Sequence, residues 1–155
     1  MKIGTVDDKI LETLTSKSTL KQQIYDNTCT AFKLLKQELY RITEDLNSCL
    51  TDEDPRVLLR FLDHGEFTAE LKVASDLLIF SMHSNIFQFD RNHEIWKTEY
   101  IKDDPSAGYS GMINLYNFLA DSFKYRREDD LGYLVARIFI NKNLLPPNPV
   151  GMIIL

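Results

Sequence analysis

Val57-Leu58-Leu59-Arg60-Phe61-Leu62, Asp63-His64-Gly65-Glu66 and Phe67-Thr68-Ala69-Glu70-Leu71-Lys72-Val73 form the stretch on which the fold turns. Two β-rich runs flank a polar, glycine-containing turn, and the second run alternates apolar and polar with a period of two. That pattern predicts a hairpin, with strands over 57–62 and 67–73 joined at 63–66.

Reading outward toward the C-terminus, Leu77-Leu78-Ile79-Phe80-Ser81-Met82 is nearly continuous in apolar residues and reads as a central strand. His83-Ser84-Asn85 breaks it, Ile86 to Asp90 reads as another strand, and Arg91-Asn92-His93 turns the chain again. Ile95 to Ile101 then completes an antiparallel meander of about five strands joined by loops of normal hairpin length. Lys102 to Ser110 reads as a loop ending in an N-cap at Ser110. Gly111 to Tyr125 is expected to be a helix with Ile113, Tyr116, Leu119, Ala120 and Phe123 on its stripe and Lys124, Arg126 and Arg127 at its C-terminal end. Tyr133 to Ile140 follows as a strand of the same sheet. Leu144 to Leu155 carries no charge, and Val150 to Leu155 has three readings: an added strand, an insertion into a neighbour, or a chain whose natural ending has been lost.

Reading outward toward the N-terminus, the period changes to 3.6. Ile24, Thr28, Ala31, Leu35, Leu39, Ile42 and Leu46 fall on one helical stripe, with no glycine or proline before Pro55. Thr19-Leu20-Lys21-Gln22 has capping-box spacing, so a helix of about 30 residues is expected to start there. A separate short helix is expected over 6–14, carrying Val6, Ile10, Leu11 and Leu14, with Thr15-Ser16-Lys17-Ser18 as the break. A strict heptad would put Glu38 and Asp45 at seam positions, whereas the 3.6 period selects Leu39 and Leu46, which suits packing on a sheet better than supercoiling. The fold class is therefore α+β. Residues 1–143 form a single domain, with a helical layer over 1–55 and a sheet plus helix over 56–143, and 144–155 form an apolar tail.

Eighteen Lys plus Arg against 23 Asp plus Glu give a formal charge of −5, which offers no basic surface to a nucleic acid or an anionic membrane. No apolar run approaches the roughly 20 residues that cross a bilayer, and the N-terminus has no leader-like apolar core, so a cytoplasmic protein is expected. Cys29 and Cys49 lie about 30 Å apart along one helix at 1.5 Å per residue, too far to bridge within it, and two buried reduced thiols are expected.

The residues that carry chemistry form no established motif. His64, His83 and His93 sit in or beside turns, without the close pair that a zinc site shows, and no metal or cofactor is expected. Asp103 to Gly111 places glycines and serines before an expected helix N-terminus, where backbone N–H groups accept anions. Ser106, Gly108, Tyr109 and Ser110, with Trp96, are the candidate ligand residues. The plain alternative is a capped loop, since neither Gly-x-Ser-x-Gly nor a phosphate-loop pattern is present. Asp52-Glu53-Asp54 and Glu128-Asp129-Asp130 read as solvated turns, and Lys124-Tyr125-Arg126-Arg127 as a helix end. The aromatic set Phe61, Phe67, Phe80, Phe87, Phe89, Trp96 and Tyr100 exceeds what one sheet face needs, which implies that both faces are covered.

At the level of fold alone, the pattern is similar to small bacterial sensory or adaptor domains in which a long helix leads into an antiparallel sheet. The leading expectation is a non-catalytic homodimeric interaction module that pairs through Ile24, Leu35, Leu39, Ile42 and Leu46. A small-molecule sensor, with its pocket between the aromatic sheet and the expected helix 111–125, is the second. A metal-assisted hydrolase using the histidines is the third.

Overall fold

The computed structural model describes residues 5–126, 132–143 and 152–154. The architecture is α+β, as the two periodicities predict: a long N-terminal helix lies across one face of an antiparallel sheet. Its parts are α1 (Thr5–Thr13), a π-helical turn (Leu14–Ser18) and α2 (Thr19–Ser48). No separate helix starts at Thr19. Ser18 already has helical angles and makes no side-chain cap bond, so the expected capping box is absent. The hydroxyls that suggested a break instead bond backward along the helix. Thr15 Oγ1 donates to the Leu11 carbonyl at 2.8 Å and Ser16 Oγ to the Glu12 carbonyl at 2.6 Å. Such back-bonding competes with the backbone ladder and favours a widened turn over a chain break. A helix of this extent is about 65 Å long, far longer than the sheet it crosses.

The strands are β1 (Arg60–Asp63), β2 (Thr68–Val73), β3 (Asp76–Met82), β4 (Phe87–Gln88), β5 (Tyr109–Leu119), β6 (Tyr133–Ile140) and β7 (Met152–Ile154). They pair antiparallel in the order β1-β2-β3-β5-β6-β7, and β4 pairs with the start of β5. The hairpin of β1 and β2 forms, but its first strand covers 60–63 instead of the expected 57–62, because Val57 belongs to a 3-10 turn (Pro55–Val57); Phe61 lies opposite Leu71 and Gly65 has φ +102° in the turn. Asp63 Oδ1 accepts the Gly65 N–H at 2.9 Å and closes that turn. In the tail, Met152–Ile154 adds a strand to the sheet: β7 lies along β6, with Ile153 opposite Phe139.

Further expectations fail: of residues 86–90 only Phe87–Gln88 form a strand, and it pairs with β5 and not with β3. Residues 95–101 are not a strand but a 3-10 turn (Glu94–Lys97) followed by α3 (Glu99–Asp103). The cause is local: His93 Nδ1 accepts the Ile95 N–H at 3.2 Å and starts the turn. Residues 111–125 are not a helix either. Tyr109 to Leu119 form the eleven-residue central strand β5, and only Ala120 to Lys124 are helical, as α4. β5 is held on both sides, with Ile113 opposite Met82 of β3 and Ile138 of β6.

Successive β5 residues serve opposite faces. One face carries Phe80, Met82, Ile113 and Ile140, which pack with Ala69 and Leu71 under Phe32 and Leu39 of α2. Met112 and Phe139 turn to the other face, where Phe89, Ile95, Ile101 and Ala107 form a second cluster with Trp96 and Tyr100. The excursion between β3 and β5 supplies that cover. α2 is tied down at both ends. Asn47 exchanges two hydrogen bonds with the Leu59 backbone, at 2.8 and 2.9 Å, and Asn27 Nδ2 donates to the Asn141 carbonyl at 3.1 Å. Lys36 bridges Asp63 at 3.0 Å in between. Among the described residues no helix is long and apolar enough to cross a membrane.

Candidate functional site

Of the five candidate ligand residues, Trp96 and Gly108 touch each other, while Ser106 and Tyr109 engage residues outside the set. Asp104 caps a 3-10 turn over Pro105–Gly108, where its Oδ1 accepts the Ser106 N–H at 3.2 Å and the Ser106 hydroxyl at 2.5 Å. Lys142 Nζ sits 2.5 Å from Asp104 Oδ2 and also donates to Ser106 Oγ. These contacts hold the Asp104 carboxyl below the usual carboxylate range, Lys142 contributing most and Ser106 next. The Trp96 ring lies on Gly108 so closely that a β-carbon there would meet Cη2 at 2.5 Å. Its Nε1–H donates to the Asp90 carbonyl at 2.7 Å. Tyr109 has the Lys21 ammonium 5.8 Å from its ring centre, and Ser110 is buried as the second residue of β5. Because a strand follows the loop, the helix N-terminus that was to bind an anion does not exist. The pocket expected beside helix 111–125 disappears with that helix.

The histidines separate. His64 pairs with Glu70 at 3.0 Å, away from the other two. His83 and His93 line one groove, but no cluster of three or more metal-ligating side chains occurs among the described residues. Asp54 caps the turn at Pro55–Val57 and bonds Arg56, consistent with a solvated connection. Lys124 lies 5.2 Å from the Tyr125 ring at the end of α4. Glu128-Asp129-Asp130 and Arg127 fall outside the described residues.

Of the five helix residues expected at an interface, Ile24 and Leu39 are buried inside the chain and Leu35 packs against the same core. Ile42 and Leu46 remain exposed at 40% and 46%. The larger unpartnered surface is at the other end. Every side chain from Val6 through Thr19 is exposed, and Val6, Ile10, Leu11 and Leu14 are exposed at 69%, 53%, 45% and 54%. The π turn accounts for part of this, because an extra residue in a helix rotates what precedes it by on the order of 100° relative to the α2 stripe. The apolar line that looks continuous in the sequence is therefore broken in space.

Compared with protein-family models, curated proteins and solved structures, the chain matches none. Function must be argued from its own surfaces.

One such surface has no counterpart in the sequence reading. On the sheet face opposite α2, a groove of about 760 Å³ is lined by Phe87, Phe89, Met112, Leu134 and Phe139, with His83, His93, Asp90 and Arg137 among its polar residues. The histidines and phenylalanines were visible as turn and strand residues, but Arg137 is a single cation in a strand and carried no signal.

Proposed function

We propose that this chain is a non-catalytic interaction module that pairs with a second copy of itself through the overhanging first part of its long helix. The observation that carries the reading is the exposed apolar surface of Val6, Ile10, Leu11 and Leu14, which no other described residue covers. Helices in proteins owe most of their stability to burying an apolar face, and an isolated segment of this length is marginal in water. A partner helix supplies that burial.

Charge favours a second copy in antiparallel orientation. Asp7, Asp8 and Glu12 outnumber Lys9 in the first half of the overhang, and Lys17 and Lys21 lie toward its other end. Antiparallel pairing centred near residue 12 sets the acidic end of each copy against the basic end of the other and brings Ile10 opposite Leu14. Recovering roughly 1 kcal/mol for each half-exposed apolar side chain totals about 8 kcal/mol for two copies, against association costs of similar size. Association is therefore weak and concentration-dependent.

Sedimentation equilibrium over a range of concentrations tests the reading. The wild type is expected to dimerise, Ile10→Glu with Leu14→Glu to remain monomeric, and Ile42→Glu with Leu46→Glu to dimerise normally. A wild type that stays monomeric, or a dimer lost only with the second pair, overturns it. Leu35→Glu is uninformative, because Leu35 packs on the core.

A further inference from the structure

We infer that the groove on the sheet face opposite α2 binds a small aromatic carboxylate. The site is independent of the overhanging helix, and three features specify the ligand.

The first is an aromatic floor. Phe89 and Phe139 have ring centres 4.9 Å apart, Phe87 meets Phe139 at 5.7 Å and Phe89 at 5.8 Å, and both Phe87 contacts are edge-on. Met112 and Leu134 extend this floor, and Leu134 is 39% exposed. Phe89 and Phe139 are themselves buried, so a ligand ring would meet the more exposed Phe87, Met112 and Leu134, and about 760 Å³ is within the size range of small-molecule sites.

The second feature is a cation with no partner among the described residues. Arg137 stands on β6 two residues from Phe139, is exposed, and makes no ion pair or hydrogen bond among the described residues. A guanidinium matches a carboxylate bidentately, and beside an apolar floor it is less screened than on open surface.

The third is the polarity of the rim. His83 Nδ1 accepts the Asn85 N–H at 3.1 Å, and His93 Nδ1 accepts the Ile95 N–H at 3.2 Å. An Nδ1 that accepts leaves the Nε2–H of each ring as a donor. His93 is further fixed by its ring contact with Phe89 at 4.9 Å. Among the described residues Asp90 is the carboxylate lining the groove, and its Oδ1 is engaged by the Asn92 N–H at 2.8 Å. With Asp90 Oδ1 engaged by the backbone, a single guanidinium supplies charge enough for a singly charged anion and too little for a dianionic phosphate.

The probes are 1-naphthoate and its uncharged analogue 1-naphthylmethanol, titrated into the full chain by calorimetry, with amide chemical-shift mapping in parallel. Naphthoate is expected to bind saturably and to shift resonances of Phe87, Phe89, Met112 and Leu134. Arg137→Gln is expected to weaken naphthoate about tenfold or more, the loss of a charge-assisted pair, and to leave naphthylmethanol unchanged. Arg137 is exposed and has no partner among the described residues, so this variant is expected to keep the fold, which circular dichroism checks. Absence of saturable binding, shifts confined to α1, or equal naphthoate affinity in wild type and variant would each overturn the inference. None of these outcomes touches Ile10 or Leu14, so self-association stands or falls separately.

Discussion

Gly111 of β5 lies directly against Thr28 of α2, so close that a β-carbon at position 111 would overlap the threonine hydroxyl. That hydroxyl is already fixed by donating to the Ile24 carbonyl at 2.7 Å, and Thr28 is fully buried. The long helix and the central strand thus meet at a point where only glycine fits.

Gly111→Ala is expected to lower stability by about 1–3 kcal/mol, the usual cost of overpacking. β5 cannot retreat, because Gly111 is paired with Ile140 and the His83 N–H is bonded to the Met112 carbonyl at 2.8 Å. Adding Thr28→Ala removes the overlapping Oγ1 and Cγ2, so the double variant should be less destabilised than the two single losses combined. Urea denaturation of all four proteins measures that coupling. Simple additivity would mean that the helix and strand do not touch here.

The two thiols should react at different rates. Neither thiol is fully buried, contrary to expectation: Cys49 is exposed at the end of α2 and Cys29 is half-buried. Burial pushes the Cys29 thiol up, only partly opposed by its hydrogen bond with Tyr25. Because the thiolate is the reactive form, Cys49 should label about tenfold or more faster than Cys29 with an aromatic disulfide reagent. In denaturant the two rates should converge. The same contact, above all, pushes the Tyr25 phenol up to about 12. Spectrophotometric titration should show one late-ionising tyrosine that returns toward its ordinary range in Cys29→Ala.

Asp104 should contribute stability that acid removes. Its pKa is lowered in the folded chain by Lys142 first and Ser106 second. A lowered folded value adds stability above the unfolded carboxylate pKa of about 3.9, and the contribution is lost as pH falls through the folded value. Wild type should therefore exceed Asp104→Asn in urea midpoint at neutral pH, and the gap should close below about pH 4. With Asp104 40% exposed and Lys142 24% exposed, the difference is at most about 1 kcal/mol. Asp63 is also held low, chiefly by Lys36, but it is present in both proteins and cancels in the comparison. A gap that persists unchanged in acid would show that the bridge is not its source.

The sequence alone determined that a long helix precedes an antiparallel sheet. The stripe from Ile24 to Leu39 and the alternation from Thr68 to Val73 record which side chains leave water, and each period belongs to one kind of element. It did not determine what covers each face. In β5 both faces are covered, by α2 on the side of Ile113 and by the aromatic cluster on the side of Met112, so its alternation is hidden. Ile113, Tyr116 and Leu119 then mimic a helical stripe. Trp96 and Tyr100 likewise looked like strand residues until the excursion folded them against Phe89 and Phe139. The groove was illegible for the same reason. Its parts come from 83–93, from Met112 and from 134–139, and only the pairing of β5 with β6 brings Arg137 to Phe87 and Phe89. Periodicity reports that a residue is buried; the long-range pairing of strands decides by what.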